Sequence, residues 1–182
     1  MVQDIHDDVF SFHSWNLTSK NDRSKVAAAL QYNGNFLKYA NEVHKKDVEL
    51  VEMAVRQNVN SFCFAHDDIK RDKRLVMSFI SKYGMSLSNV HDSLRGNRDV
   101  AILAIDKDPK NICYLSKELR DDMQIVSSVL SRDGYYMYCV SDRLKANKTL
   151  LMLAMSNYPG AFLHCRGKIK LDNDISRKIK NK

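Results

Sequence analysis

An all-α fold, an α-solenoid of tandem 25-residue helix-turn-helix repeats, is predicted by three observations. An Asp or Asn returns at one constant interval, at Asp22, Asp47, Asp72, Asn97, Asp122 and Asn147, and Asp172 opens a further partial unit. Apolar columns follow each of these residues at helical spacing. The 182 residues hold only two prolines and six glycines, too few for the many turns of a β-sandwich or barrel.

The first element of each unit is a helix of about ten residues. Its apolar stripe runs through Leu50, Leu75, Val100, Ile125 and Leu150, with Lys25 in the same column of the first unit, then Val26, Val51, Val76, Ala101, Val126 and Leu151. Two more columns complete it, Ala29, Ala54, Phe79, Ala104, Val129 and Ala154, then Leu30, Val55, Ile80, Ile105, Leu130 and Met155. Steps of 1, 3 and 4 lie on one helical face, and the preceding Asp/Asn has the chemistry of an N-cap.

A break comes next, at Asn33-Gly34, Asn58-Val59, Tyr83-Gly84, Asp108-Pro109, Asp133-Gly134 and Tyr158-Pro159. Glycine suits a left-handed helix end and proline cannot continue a helix. The second element carries Leu37, Phe62, Leu87, Ile112, Met137 and Phe162, then Ala40, Ala65, Val90, Leu115, Val140 and Cys165, then His44, Ile69, Leu94, Leu119, Leu144 and Ile169. Those columns stand 3 and 4 apart, so a single second helix is expected. Neither helix of a hairpin can bury its stripe alone, so the units stack. The expected organisation is a single helical-repeat domain over 1–182: a capping half-repeat over 1–21 with Phe12 and Trp15 in core columns, six repeats over 22–171, and a partial repeat with a basic tail over 172–182.

Segments such as KKDVELVEMAVRQN and LRDDMQIVSSVLSRDGYYMYCVSDRLKAN resemble a tandem short α-helical repeat family known only as a domain of unknown function, domain-of-unknown-function family 4116. The resemblance covers about 22–171, and Val59, Pro109 and Pro159 depart from its glycine. Proteins with such repeats occur largely in intracellular, amoeba-associated bacteria such as Legionella, some of them effectors delivered into a host. The resemblance therefore implies an interaction module.

The formal charge is +7, of which residues 1–150 carry only +2 and residues 151–182 the remaining +5. A basic tail is a weaker nucleic-acid signal than a basic body. No apolar run reaches the roughly 18 residues of a membrane span, and MVQDIHDDVF has no basic-then-apolar signal, so a cytoplasmic chain with no membrane span is expected. Cys63, Cys113, Cys139 and Cys165 have no C-x-x-C spacing and fit buried, reduced thiols.

Lys20, Lys45, Lys70, Arg95, Arg120, Lys145 and Lys170 form a basic column. A ladder of this kind can track phosphates, which makes nucleic-acid binding the alternative function. The structural explanation is stronger, because the column lies at a helix C-terminus and Glu42, Asp67, Asp92 and Asp142 stand three residues earlier. His66 and His91 share a column but lack further ligands, so no metal is expected. No nucleophile elbow, phosphate-binding glycine loop or H-E-x-x-H occurs, so neither an enzyme nor a cofactor site is expected.

The irregular stretch is Asp133-Gly-Tyr-Tyr-Met-Tyr. Met137 belongs to the core column, whereas Tyr135, Tyr136 and Tyr138 stand where the other units have mostly small or polar residues, Met85, Phe36 and Leu163 being the exceptions, so the repeat does not require them. Tyrosine is enriched at binding hot spots. On a continuous helix Tyr138 shares a face with Asp142 and Lys145, and in the preceding unit the missing acid leaves Lys117 and Arg120 unpaired. The partner-binding candidates are Tyr135, Tyr136, Tyr138, Lys117 and Arg120. The functional expectation is a monomeric protein–protein interaction module, an effector reaching a host cytosol by a non-classical bacterial secretion system.

Overall fold

A computed structural model describes residues 21–180. The half-repeat expected over 1–21, Phe12, Trp15 and Lys20 included, lies outside the described residues but for Asn21. Among the described residues the regular elements are all helical, in an all-α chain of tandem repeats. Those up to His91 form one compact unit and those from Asp92 another.

The long helices are α1 (Arg23–Tyr32), α2 (Val48–Gln57), α3 (Lys73–Tyr83), α4 (Arg98–Lys107), α5 (Met123–Arg132), α6 (Lys148–Asn157) and α7 (Asn173–Lys180). Each of the first six starts at the expected Asp or Asn, whose side chain accepts backbone N–H bonds two and three residues on, or three residues on at Asn97 and Asn147. Asp172 does the same for α7, taking the N–H groups of Asp174 and Ile175. These are the donors that an α-helix leaves orphaned at its start.

The residue ending each long helix sets the course of the next segment. Asn33, Asn58, Asp108 and Asp133 adopt extended backbone and cap that segment by accepting the N–H of Asn35, Asn60, Lys110 and Tyr135. Tyr83 has no such oxygen. There α3 runs eleven residues and stops at Gly84, which takes the left-handed conformation at φ 65°.

The second element is not one α-helix. It is a six-residue 3₁₀ segment at Gly34–Tyr39, Val59–Phe64, Pro109–Tyr114, Gly134–Cys139 and Pro159–His164, shortened to Leu87–Asn89 in the third repeat. An extended residue then breaks the helix at Ala40, Ala65, Val90, Leu115, Val140 and Cys165. Columns 3 and 4 apart are kept because a 3₁₀ turn also repeats every three residues. The break separates Tyr138 from Asp142 and Lys145, so the helical face assumed for all three does not exist.

After the break the repeats alternate. One-turn α segments Glu42–Lys45, Asp92–Arg95 and Asp142–Lys145 end one residue short of the next N-cap. The intervening repeats use Asp67–Arg71, Leu119–Asp121 and Gly167–Leu171, whose C-caps Asp72, Asp122 and Asp172 are themselves the next N-caps. The structural period is therefore a pair of sequence repeats. Gly34, Gly84 and Gly134 belong to one half of it, Val59, Pro109 and Pro159 to the other.

Consecutive repeats share backbone hydrogen bonds. The N–H groups of His66, His91, Ser116, Ser141 and Arg166 donate to the carbonyls of Lys45, Lys70, Arg95, Arg120 and Lys145 at 3.0–3.4 Å. Side chains also cap the preceding long helix: Gln57 reaches Gln31 O, Arg132 reaches Ile105 O, and Asn157 reaches Leu130 O and Ser131 O. Apolar columns fill the space between, with Leu30, Leu50, Phe62, Ile80, Ile112, Leu130 and Met137 fully buried. Leu75 and the last repeat's Phe162 and Ile169 keep partial exposure.

Gly34 and Gly134 are not left-handed helix ends. Their φ is not positive. Each lies so close to the following repeat that a Cβ would stand 2.1 Å from the carbonyl oxygen of Ala54 or Ala154. Gly134→Ala is therefore expected to destabilise the chain by about 1–3 kcal/mol, the usual cost of overpacking. Gly96→Ala, whose Cβ would meet nothing nearer than 3.5 Å, should change stability by less than about 0.5 kcal/mol. Urea unfolding midpoints of the two variants check this, and equal losses would contradict it.

Candidate functional site: an aromatic surface beside a disulfide

The 3₁₀ segment Gly134–Cys139 starts at Asp133, whose carboxylate accepts the Tyr135 N–H at 2.9 Å. Gly134 donates its N–H to Asn157 Oδ1, and Met137 is buried beneath. With the segment fixed at both points, its three tyrosines crowd together. Tyr135 meets Tyr136 at 5.6 Å and Tyr138 at 5.3 Å between ring centroids, both edge to face. Tyr136 and Tyr138 stand 6.4 Å apart. Edge-to-face rings at such separations attract through their quadrupoles.

The following repeat supplies two more rings that the repeat pattern alone did not select. Tyr158 packs edge-on against Tyr135 at 5.5 Å, and His164 lies 5.8 Å from Tyr138. Their columns were readable: Tyr158 replaces the Asn/Asp that caps other 3₁₀ segments, and His164 shares the column of Cys139, one repeat on. Tyr135 and Tyr138 remain 47% and 41% exposed, and Leu163, one repeat on from Tyr138, is 74% exposed. Tyr136 is half-buried, and that burial raises its hydroxyl pKa, with the carboxylates of Asp108 and Asp133 adding to the rise.

Cys113 and Cys139 are joined by a disulfide, with Cα atoms 5.2 Å apart. This corrects the expectation of four reduced thiols, and a reducing compartment can no longer be inferred from cysteine usage. Comparison within one column pairs Cys63 with Cys113, two repeats apart. The bond instead joins neighbouring columns of successive repeats, at a sequence separation of 26. Cys63 and Cys165 take no part in a disulfide, and only Cys165 is buried. Tyr138 donates its hydroxyl to Cys113 Sγ at 3.3 Å.

The two cations assigned to this site behave differently. Arg120 is not unengaged: its Nη1 donates to the carbonyl of Cys139 at 3.5 Å, while its buried Nε has no hydrogen-bond partner. Lys117 is exposed, as is Lys110, which precedes Tyr135 by one repeat.

Elsewhere the basic column is held by its acids. Lys45–Glu42, Lys70–Asp67, Arg95–Asp92 and Lys145–Asp142 form i,i+3 pairs at 2.9, 2.8, 2.8 and 3.7 Å. Burial lowers the pKa of Lys145. The Lys170 side chain lies outside the described residues. His66 and His91 have structural partners, His66 Nδ1 accepting the Asp68 N–H and His91 Nε2 accepting from Arg71. Among the described residues no group of three or more His, Cys, Asp or Glu could hold a metal ion, and no helix is long and apolar enough to cross a membrane.

Charge also links repeats at the helix N-termini. Arg23 pairs with Asp47 and Glu49, Arg98 with Asp122 and Gln124, and Lys148 with Asp172 and Asp174. The basic partners hold the carboxyls of Asp47, Asp122 and Asp172 below the usual aspartate range.

Three tandem matches to a domain of unknown function, DUF4116, cover residues 22–70, 72–120 and 122–170, and the chain belongs to that family. Each match spans one pair of repeats, the period of the alternation seen in the structure. No curated protein and no solved structure matches the chain.

Because these aspartate pKa values are depressed on folding, their stabilisation is fully present above the ordinary value near 4 and is lost as pH falls through the folded values. Asp122→Asn keeps a capping oxygen but removes the charge. It should lower the neutral-pH unfolding midpoint and leave the acid limb shallower than in the parent chain, as measured by urea titrations between about pH 2 and 7. Lys70→Ala should cost only a few tenths of a kcal/mol in the same titrations at neutral pH, since exposed pairs are worth about that.

Proposed function

We propose that this chain is a non-catalytic protein–protein interaction module, and that its partner docks on the surface formed by Tyr135, Tyr138, Tyr158 and His164. The observation carrying this is the cluster of partly exposed rings that Tyr135, Tyr138, Tyr158 and His164 form across two successive repeats. Tyrosine buries large area at low entropic cost, which is why it recurs at binding hot spots. Exposed Lys110 and Lys117 in the preceding repeat favour a partner segment that presents an aromatic or apolar side chain flanked by carboxylates. The family resemblance extends the proposal to an effector whose partner is a host protein in the host cytosol.

The basic column gives the nucleic-acid alternative less support. Four of its five members with described side chains are paired with carboxylates three residues earlier. A partner recovered by affinity purification should therefore survive nuclease treatment.

Tyr135→Ala and Tyr138→Ala should each weaken that complex by about 1–3 kcal/mol, as hot-spot truncations do. Calorimetric titration measures the loss, and the melting temperature should shift little. Tyr136→Ala should lower stability as well, because that ring is half-buried. Normal binding by both exposed-tyrosine variants would place the interaction surface elsewhere.

A further inference from the structure

The tyrosine surface and the disulfide are built on the same few atoms of backbone. Tyr138 immediately precedes Cys139, so the bond to Cys113 fixes the chain at the root of the ring, while the ring hydroxyl rests on Cys113 Sγ at 3.3 Å. Arg120 reaches the Cys139 carbonyl from the preceding repeat. A 3₁₀ segment has poorer hydrogen-bond geometry than an α-helix and relies on such external anchors. At the next joint the same two columns hold Tyr138 and His164, whose rings are 5.8 Å apart. In the register of the second repeat they hold Cys63 and Asn89, and Cys63 is free. The covalent tie thus falls at the repeat that bears the tyrosines.

The bond is open to exchange from one side. Cys113 is partly exposed, whereas Cys139 is 6% exposed. A dithiol reductant can attack Cys113 Sγ as its thiolate, breaking the S–S bond and forming a mixed disulfide. Cys139 leaves as a thiolate and takes up a proton. The second thiol of the reductant then displaces Cys113, which is protonated in turn. The dithiol ends as a cyclic disulfide, having supplied two electrons and two protons.

We propose that Cys113–Cys139 is a redox latch on the tyrosine surface: closed, it holds the rings in one arrangement; reduced by a dithiol, it releases the Tyr138 segment and disperses them. The consequence for partner binding rests on the docking role proposed above.

The experiment uses the full chain with labelled tyrosine rings, before and after dithiothreitol, beside a Cys113→Ser/Cys139→Ala variant. The denatured, unreduced chain should titrate two thiols, Cys63 and Cys165, rising to all four cysteines on reduction. Ring resonances of Tyr135, Tyr136, Tyr138 and Tyr158 should shift and broaden on reduction, and those of the variant should match the reduced chain. Tyr32, Tyr39 and Tyr83 should not move, and the helical circular dichroism should persist.

A random copolymer of glutamate and tyrosine serves as the binding probe, and its affinity should fall about tenfold when the preorganised surface is lost. Failure of the oxidised chain to bind the copolymer, with the rings still responding, removes the docking role and leaves the latch. Four thiols in the unreduced chain, rings indifferent to reduction, copolymer binding by the oxidised chain that reduction leaves unchanged, or loss of the helical signal on reduction would each overturn the latch.

Discussion

The carboxylate or amide at the head of each long helix is the interaction on which the repeat depends. It accepts the first free N–H groups of the helix and so fixes where each apolar stripe begins, which resets the phase once per repeat. At Asp47, Asp122 and Asp172 it also receives a cation from the preceding repeat. One oxygen-bearing side chain therefore sets both the start of a helix and its alignment with its neighbour. Asn at the same position caps the helix but offers a cation no opposite charge.

Close approach is the second constraint. The 3₁₀ segments bring backbone against backbone, and Gly34 and Gly134 leave no room for a Cβ beside Ala54 and Ala154. At the offset that separates Gly34 from Ala54, Val59 is followed by Phe79 and Pro109 by Val129. Glycine thus precedes alanine, and larger residues precede larger ones. This size pattern accompanies the alternation in sequence, although the close approach itself is made at Gly34 and Gly134 and not at Gly84, whose Cβ position is open. A single hairpin is the sequence pattern, but two of them make the structural unit and the family's unit.

Periodicity made the long helices, their caps and nearly all of the core legible, because burial recurs in fixed columns whatever joins them. The second element was not legible as 3₁₀ plus a single turn, since 3₁₀ and α spacing both put apolar residues three apart. The residue that breaks it, such as Ala40 or Val140, is extended without any Gly or Pro to announce it. Backbone bonds between repeats leave no side-chain signal. The ionic contacts between repeats, such as those of Arg23 with Asp47 and Glu49, do leave one, but only when acids and bases are compared across neighbouring columns rather than within one. Cys113 and Cys139 escaped a same-column comparison for that reason.

The tyrosines were visible as a departure from the repeat, yet their meaning changed with the geometry. On a continuous helix Tyr138 would have joined Asp142 and Lys145 on a mixed, charged face. The extended Val140 turns the chain there instead, and Tyr138 faces His164 of the following repeat and the sulfur of the preceding one. A repeat protein writes specificity where its columns are broken, because only those positions are free of the demands of stacking. Here ring after ring is added at such positions, while Met137 between them keeps the core column intact. The local rule is obeyed underneath and broken on the surface, which is what a site placed on a stable repeat requires.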